Sequence, residues 1–378
     1  MNWRLIIVIF SMLFTSVFAH EEEFIPISDE GLILPQTAEI KPTTAATTDE
    51  QMPAMPQEQG YPLKAPYEMG YSLPARIDVQ GSWDLYLVTN FIYWQPKQQN
   101  MSYSQLTYSS YANDRAEDFD LSYHYQPGLQ VGLGTNLPHD DWNLFFQYTW
   151  LNVNHSEAKG IANGNTLVNF WLAASNANAA STSRVTAHWR LSTHLMDLVI
   201  TRPYYQGKYV IIKPYAGLRS ALLDQKYHLK YTISGYEIPS FFKQDTWAIG
   251  PRLGLDSSCL LGCGFAINAG AAYNLLYQHF TVNETQANSG NPSILFIKIR
   301  KGLSQLTSNP QAYLALGWGS YFDEQYWHFH LDLRYDFQVF FDQNQMKSLL
   351  SSTSNPQVAD KVGNLFYQGL TVSVRFDF

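Results

Sequence analysis

Charged and polar side chains recur at every second position in several stretches of the chain, between apolar side chains. Residues two apart in an extended strand point to the same side, so each stretch combines a polar face with an apolar one. A polar face of mixed charge suits the wall of a water-filled channel for ions or small polar solutes. A charge facing lipid at the bilayer midplane would cost about 2–4 kcal/mol, so we expect the charged face to point inward. The candidate lining residues are Lys213, Tyr215, Arg219, Arg252, His328, His330, Asp332, Arg334, Asp336, Arg375 and Asp377.

The same charges could instead pair with one another and fill a narrow barrel. Barrels of about eight strands have interiors filled by side chains, whereas open porin channels need about 16–18 strands. A barrel of about ten strands lies closer to the size at which side chains fill the interior. An open lumen and a plugged lumen therefore both remain compatible with the sequence.

The chain has two cysteines, Cys259 and Cys263. A structural zinc site needs four ligands, and no second cysteine pair or histidine cluster completes one, so we expect no metal. The two thiols could close a small hairpin disulfide in an oxidising compartment. Two free thiols, or crosslinks between chains, are the alternatives.

Catalysis at the rim of a barrel is the third chemistry to weigh, because some ten-stranded barrels are surface proteases that use Asp and His. No pair here has a diagnostic spacing, and the chain lacks a nucleophile elbow, a zinc-protease motif and a phosphate loop. Gly250 and Gly254 are predicted to be strand glycines rather than part of a nucleotide-binding loop. We therefore expect no enzymatic activity and no cofactor. The residues considered are His155, His188, His194, His228, His279, Asp224 and Asp245.

The composition favours a membrane barrel as the scaffold for these residues. Aromatic residues make up 15% of the chain and charged residues another 15%, against about 25% charged residues in a typical soluble protein. Too few charges are available to cover a soluble surface, whereas a barrel in lipid needs apolar and aromatic groups outside.

The N-terminal part is predicted to lie outside the folded domain. Residues 1–19 place Arg4 before a short apolar stretch and end in Val-Phe-Ala, which is typical of a secretory signal peptide cleaved after Ala19. Residues 20–80 are rich in proline and hold eleven acidic and three basic residues, so the net charge of −8 belongs to them. We predict a disordered periplasmic leader over residues 20–80 and a barrel over residues 81–378.

Strict alternation is clearest over residues 327–341, where Trp327, Leu331 and Tyr335 share an apolar face and Asp332 and Arg334 share a polar one. The last strand repeats the pattern and ends on Phe378, as outer-membrane barrels commonly do. A strand of a soluble sandwich would alternate equally well. The predicted strands run over about 11 to 23 residues, however, whereas soluble strands usually hold about five or six.

These patterns predict an all-β fold, a transmembrane antiparallel up-and-down barrel of about ten strands. Short and long connections alternate along it, as expected for periplasmic turns and extracellular loops. Residues 166–174 and 294–300 could hide another hairpin, which would make twelve strands. The predicted strands are 82–95, 127–137, 142–155, 184–202, 209–231, 242–256, 263–284, 311–322, 327–342 and 363–378. The short connections are 138–141, 203–208, 257–262 and 323–326, and the long ones are 96–126, 156–183, 232–241, 285–310 and 343–362.

Several stretches resemble the pore-forming major outer membrane protein family first described in Legionella and also abundant in chlamydia-like bacteria. The resemblance covers roughly residues 82–378 and implies an outer-membrane location, pore activity and surface adhesion. In that family cysteines can crosslink envelope proteins. The similar stretches are 214–219 with Asp224 and Gln225, then 247–256, 262–265, 271–277 and 331–335.

The predicted function is thus passive, porin-like passage of ions or small polar solutes. The alternative is a surface adhesin or structural envelope protein with a plugged barrel, since residues 96–126 are rich in Tyr, Ser and Asn and loops often carry function. Expected partners are outer-membrane lipid, the barrel-assembly machinery through the strand ending in Phe378, and a second copy or a host surface through the long loops. No nucleic-acid partner is expected.

Overall fold

A computed structural model of the protein describes residues 77, 79, 84–108, 115–137, 142–160, 166–172, 182–233, 235–287, 295–352 and 355–378. The predicted signal peptide, and the predicted leader apart from Ile77 and Val79, lie outside the described residues.

Sixteen strands are present in the described part of the chain. They are β1 (Leu85–Gln98), β2 (Ser104–Tyr108), β3 (Arg115–Phe119), β4 (Gln126–Asn136), β5 (Asn143–Gly160), β6 (Thr166–Asn169), β7 (Thr182–Thr201), β8 (Tyr205–Gln206), β9 (Val210–Ile233), β10 (Tyr236–Gly262), β11 (Phe265–Ala287), β12 (Leu295–Phe322), β13 (Trp327–Asn344), β14 (Lys347–Ser352), β15 (Asn355–Asp360) and β16 (Gly363–Asp377).

Ten of these strands form a closed antiparallel barrel in which each strand pairs with the next barrel strand along the chain. The order around the barrel is β1, β4, β5, β7, β9, β10, β11, β12, β13 and β16. The last strand pairs with the first, from Tyr86 opposite Asp377 to Gln98 opposite Leu365. The predicted strand number and its closure are confirmed. Among the described residues, no helix is long and apolar enough to cross a membrane.

The two ends of the barrel differ, and we name them the loop end and the turn end. At the loop end lie β2, β3 and β6, which form a small sheet, and the β14–β15 hairpin. At the turn end, residues 263–264 and 323–326 connect neighbouring strands, and β16 ends. Longer loops of bacterial barrels lie outside the cell, so the predicted topology places the loop end on the extracellular side.

Three predicted connections are corrected by the structure. Residues 232–241 were expected to form a long loop, but β9 and β10 continue to a connection of two residues, 234–235. Residues 257–262 belong to β10, and the turn lies at Cys263 and Gly264, both with positive φ. β12 begins at Leu295 and absorbs much of the predicted loop 285–310. Short and long connections therefore do not alternate without exception.

The twelve-strand alternative is excluded by the pairing of the described residues. Residues 295–300 belong to β12 rather than to a separate hairpin. Residues 166–169 form β6, which pairs with β2 in the small sheet and not with the barrel.

The polarity of the barrel wall inverts along its height. In the half nearer the turn end, outward side chains such as Leu218 and Leu253 are apolar and well exposed, and inward ones such as Arg219 and Arg252 are charged. In the half nearer the loop end, Tyr227 and Leu229 are buried inward, while Lys226 on the same strand is exposed outward. Successive residues still point alternately inward and outward along the whole strand. Only the polarity changes: the apolar side chains face outward near the turn end and inward near the loop end. The apolar outer belt therefore has a boundary on the side of the loop end, and the residue at which it ends can be identified on these strands.

The final strand has the predicted faces. Leu370, Val372 and Phe376 are 47%, 38% and 40% exposed on the outer surface, as expected for side chains facing lipid. Thr371 and Asp377 are buried on the inner surface. β16 therefore contributes both to the outer apolar belt and to the charged interior.

Gly250 on β10 faces inward at a point where β11 approaches closely. A Cβ built there would lie 1.9 Å from the backbone oxygen of Leu275, which is far too close for any side chain. We predict that Gly250→Val separates β10 from β11 and abolishes the compact, heat-modifiable band of the folded barrel in gel electrophoresis. The control is Gly302→Val on β12, where the nearest atom to such a Cβ is 3.8 Å away, in His279. A folded Gly250→Val barrel with the wild-type unfolding temperature would contradict the prediction.

Candidate functional site

A cavity of about 420 Å³ occupies the barrel interior towards the turn end. It extends from Asn136 and Pro203, beside the turns, to Trp94 and Gln338 near mid-height. Ten of the eleven predicted lining residues line this cavity. The eleventh, Asp377, is 4% exposed and binds two of the others, His328 and Arg375. The predicted positions therefore meet in one space.

Arginines on the cavity wall lie over tyrosine rings in a repeated arrangement. The Arg375 guanidinium carbon is 3.7 Å from the ring centre of Tyr86, and Arg252 and Arg334 lie 5.5 Å and 5.1 Å from the rings of Tyr215 and Tyr313. Such cation–π contacts hold a guanidinium in place without neutralising its charge.

Each of these tyrosine rings in turn covers a glycine of a neighbouring strand. A Cβ at Gly134, Gly254 or Gly270 would come within 2.0, 2.2 or 2.3 Å of a ring atom of Tyr86, Tyr215 or Tyr313, respectively. The glycines therefore allow the rings to lie flat against the wall. Flat rings leave the centre of the lumen open and position the arginines at its surface.

A buried ion pair closes the upper part of the cavity. Arg219 Nε and Nη2 each donate to Asp197, at 2.5 Å, and Nη1 donates to Asn309 Oδ1 at 2.8 Å. The two side chains are only 3% and 8% exposed. Arg219 was predicted from the sequence, and Asp197 was not.

The middle of the cavity is a network of arginine donors and amide or carboxylate acceptors. Arg252 donates to Gln311 at 2.6 Å and to Asn274 at 3.1 Å. Arg334 contacts Asp336 at 3.1 Å. Tyr313 donates to Asp256 at 2.8 Å, a second lining carboxylate that sequence reasoning did not identify.

Near the turn end, two histidine–carboxylate pairs line the mouth. His328 Nδ1 lies 2.9 Å from Asp377, which also accepts from Arg375 at 2.5 Å. His330 Nε2 lies 3.0 Å from Asp332. The mouth therefore carries both signs of charge within a few ångströms.

Lys213 differs from the other charges of the cavity. It lies on β9 in the lining, and no ion pair to it exists among the residues that the structure describes. The described lining and the carboxylates bound to it hold five cations and five carboxylates. They are Lys213, Arg219, Arg252, Arg334 and Arg375, with Asp197, Asp256, Asp332, Asp336 and Asp377.

Towards the loop end the lumen is filled by an apolar core, which we call the plug. Met101, Tyr103, Trp171 and Met346, which lie in the connections at the loop end, are 0–1% exposed. They belong to one buried cluster with inward side chains of the barrel strands, among them Tyr227.

Tyr103 and Trp171 show how the plug segments are held. Trp171 lies 5.0 Å and 5.4 Å from the rings of Phe242 and Tyr227, and its Nε1 donates to Ser102 O at 2.8 Å. Burial raises the pKa of Tyr103 to about 12, with Glu157 and Asp120 adding to the effect, so its phenol stays neutral. Two connections at the loop end thus pack on each other inside the barrel.

The family model described as Legionella pneumophila major outer membrane protein precursor matches residues 78–378. The chain belongs to this family. As an outer membrane protein of the family, it lies in the outer membrane, and its outward apolar belt contacts lipid. No curated protein matches the chain.

Solved outer-membrane barrels overlap this family member only loosely. The outer membrane protease OmpT from Escherichia coli is 11% identical with a TM-score of 0.46, covering 80% of this chain and 99% of that chain. A FadL homologue of Pseudomonas aeruginosa and the toluene transporter TodX of Pseudomonas putida are each 7% identical with TM-scores of 0.24, covering 78% of this chain and 89% of theirs. At these values no activity is carried over from them.

Among the described residues, no hydrogen bond joins one of the histidines weighed for catalysis to Asp224 or Asp245 in this outer membrane protein. Asp224 and Asp245 lie opposite each other on the outer surface of β9 and β10. His155 points inward and stacks on Trp189 at 5.9 Å, in the plug region. No group of three or more potential metal ligands occurs among the described residues.

The two cysteines lie at the turn between β10 and β11. Cys259 is on β10 and Cys263 is in the turn, and both are exposed free thiols in the structure. The hairpin disulfide between them stays a prediction. Crosslinking to another envelope protein remains a prediction from the family resemblance.

Proposed function

We propose that the protein is a narrow, porin-like channel for ions or small polar solutes, closed in this structure by the plug. The observation that carries the proposal is the mixed-charge cavity of about 420 Å³ at the turn end. A purely structural barrel of ten strands would not need arginines positioned on tyrosine rings around an open space.

The plug supports a gated rather than a permanently open channel. Side chains such as Trp171, Tyr227 and Leu229 are at most 1% exposed, so the described residues pack closely across this part of the lumen. Passage then requires the connections at the loop end to move out of the lumen. Because they are connections and not barrel strands, they can move without breaking the ladder that closes the barrel.

A second candidate function is a structural or adhesive role at the cell surface. The folded sheet of β2, β3 and β6 and the β14–β15 hairpin favour it, because they present ordered structure outside the cell. Contacts with a host surface or with a second copy would use these segments.

No enzymatic activity and no cofactor form part of this proposal. Its support is the lack of a hydrogen bond between these histidines and Asp224 or Asp245 in the described part of the chain, and His155 faces the plug instead. A general base works within hydrogen-bond distance of its partner, and the described histidines instead bond to groups such as Tyr148, Ser156 and Ser304.

Export and assembly complete the proposal. Residues 1–19 act as a cleaved signal peptide, residues 20–80 as a periplasmic leader, and residues 81–378 as the barrel. The barrel-assembly machinery recognises β16 together with Phe378 after it, and Phe376 and Phe378 are both exposed.

The test of the pore is conductance of the purified full-length protein in planar bilayers. We expect discrete conductance steps, and we expect Lys213→Glu to raise cation over anion permeability by about threefold because the charge lies on the lining. The matched control is Lys97→Glu, which makes the same charge change on the exposed outer face of β1. An unchanged permeability ratio for Lys213→Glu would place the constriction elsewhere. If the bilayer stays sealed after repeated insertion of the wild-type protein and of a variant whose plug is destabilised, the structural role is favoured.

A further inference from the structure

Four cations lie in one row across the outer surface of the barrel, and we call them the cation row. Arg190 pairs with Lys226 across β7 and β9, and Lys226 pairs with Lys243 across β9 and β10. Lys243 lies opposite Asn283 on β11, which lies opposite Arg300 on β12. With strands about 4.8 Å apart, the row covers roughly 19 Å of the outer wall.

The cation row lies just beyond the apolar belt. On β10 the continuous run of outward apolar side chains ends at Trp247, 45% exposed, and Lys243 follows four residues nearer the loop end, with the exposed Phe241 two residues beyond it. On β9 the corresponding pair is Leu222, 40% exposed, and Lys226. Four residues of a tilted strand rise roughly 10 Å along the membrane normal. This is the level at which hydrocarbon gives way to lipid headgroups.

The folded chain neutralises the row only in part, through Asp224 and Asp245, which lie beside it on the outer surface of β9 and β10. Within the part of the chain that the structure describes, Lys243 is the one member in an ion pair, with Asp245 at 2.5 Å. Arg190 donates to His188 at 2.7 Å. Like charges directly opposite each other on neighbouring strands destabilise a sheet, so an anion bound across the row would relieve a cost that the fold carries.

The outer surface at the row is concave. A groove of about 410 Å³ is lined by Arg190, Lys226 and Lys243 together with polar neighbours one pair of residues nearer the belt. Those neighbours are the carboxylates Asp224 and Asp245, and also Asn152 and Ser192, which are hydrogen-bonded to each other at 2.8 Å. Cations bind phosphate oxygens, and amide, hydroxyl and carboxylate groups beside them can bind sugar hydroxyls.

We infer that the cation row and its groove bind the phosphorylated sugar headgroup of a glycolipid in the outer leaflet of the outer membrane. Acyl chains of such a lipid would lie along the apolar belt below Trp247 and Leu222. Its phosphates would then reach the row, since long Lys and Arg side chains extend towards the interface. A soluble anion would gain nothing from the belt, which is why the lipid is the favoured occupant.

The experiment measures binding of the full-length protein in detergent to bisphosphorylated lipid A, to its dephosphorylated form and to inorganic phosphate. The test variant is Arg190→Gln/Lys226→Gln/Lys243→Gln, which leaves the cavity and the plug unchanged. The control variant is Lys97→Gln/Lys159→Gln/Lys361→Gln, which removes three cations elsewhere on the barrel and its connections. Heat modifiability on a gel reports that both variants are folded.

We expect the wild-type protein and the control variant to bind bisphosphorylated lipid A at least about tenfold more tightly than the test variant, since several charge-assisted contacts are lost. The preference should weaken as salt is added. Equal binding by the folded test variant, or equal binding of dephosphorylated lipid, would overturn the inference. If inorganic phosphate at the same concentration displaces lipid A from the protein, the row is a site for simple anions, and the inference of a lipid site is overturned.

Discussion

Replacing Trp171 with alanine is expected to turn a barrel that is mostly closed into one that conducts for most of the time. Trp171 is fully buried and ties its own connection to Ser102 and to the barrel wall at Tyr227 and Phe242. Removal of a buried tryptophan costs roughly 3–5 kcal/mol. Because the side chain belongs to the plug, most of that cost falls on the closed arrangement of the connections and not on the barrel ladder.

The size of the effect follows from the population of the closed state. A tenfold change in an equilibrium takes about 1.4 kcal/mol, so the open fraction should rise by about a hundredfold or more. The measurement is open time per inserted molecule in planar bilayers at fixed voltage. Heat modifiability should be retained, because the ten-strand ladder is unchanged.

The control for this prediction is Tyr236→Ala. Tyr236 also lies at the loop end, but it is 59% exposed at the tip of the β9–β10 hairpin. This variant removes an aromatic ring from the same surface without touching the plug, and its open time should equal that of the wild type. Equal open times for Trp171→Ala and the wild type would show that the plug is not the gate.

The barrel could be predicted from the sequence because its half nearer the turn end follows one simple rule. In β13 and β16, apolar residues such as Leu331 and Leu370 face outward and charged residues such as Asp332 and Arg375 face inward. Hydrocarbon on one side and water on the other impose that alternation. The ten strands, their order and the eleven inward positions could therefore be predicted from polarity alone.

The strand ends at the loop end could not be predicted by the same rule. Above the belt, water lies outside the barrel and the plug lies inside, so Lys226 and Lys243 face outward while Leu229 and Phe242 face inward. In this part of each strand the polar residues therefore lie on the face that was apolar before. In the sequence, this change of pattern looks like the end of a strand. The prediction of a loop over residues 232–241 failed for this reason.

The plug and the partner of Arg219 were missed for different physical reasons. Tyr103 and Trp171 lie in connections without periodicity, and their burial depends on contacts with distant parts of the chain. Asp197 shares the inward face of β7 with Trp189, Leu191 and Leu195, which belong to the plug region. A single carboxylate at the end of an apolar face gives no sequence signal that it belongs to the charged lumen.

Replacing Asp197 with alanine is expected to be the most destabilising single change in the charged lumen. The variant leaves the Arg219 guanidinium, whose side chain is 3% exposed, with Asn309 as the remaining partner shown for it in the described chain. Breaking a buried pair by removing one partner costs about 3–5 kcal/mol, because an uncompensated charge stays buried. The measurement is the free energy of unfolding in denaturant, with the barrel held in lipid vesicles.

The double variant Asp197→Leu/Arg219→Met separates the burial of charge from the loss of packing. Replacing both members of a buried pair by apolar residues of similar size is often neutral, so this variant should recover most of the stability lost in Asp197→Ala. An exposed pair provides the comparison, since Lys230 and Glu237 are 3.0 Å apart with side chains 51% and 60% exposed, and Lys230→Gln should have little effect. Equal destabilisation by the single and the double variants would mean that the shape of the Asp197 side chain, rather than its charge, holds the upper part of the cavity together.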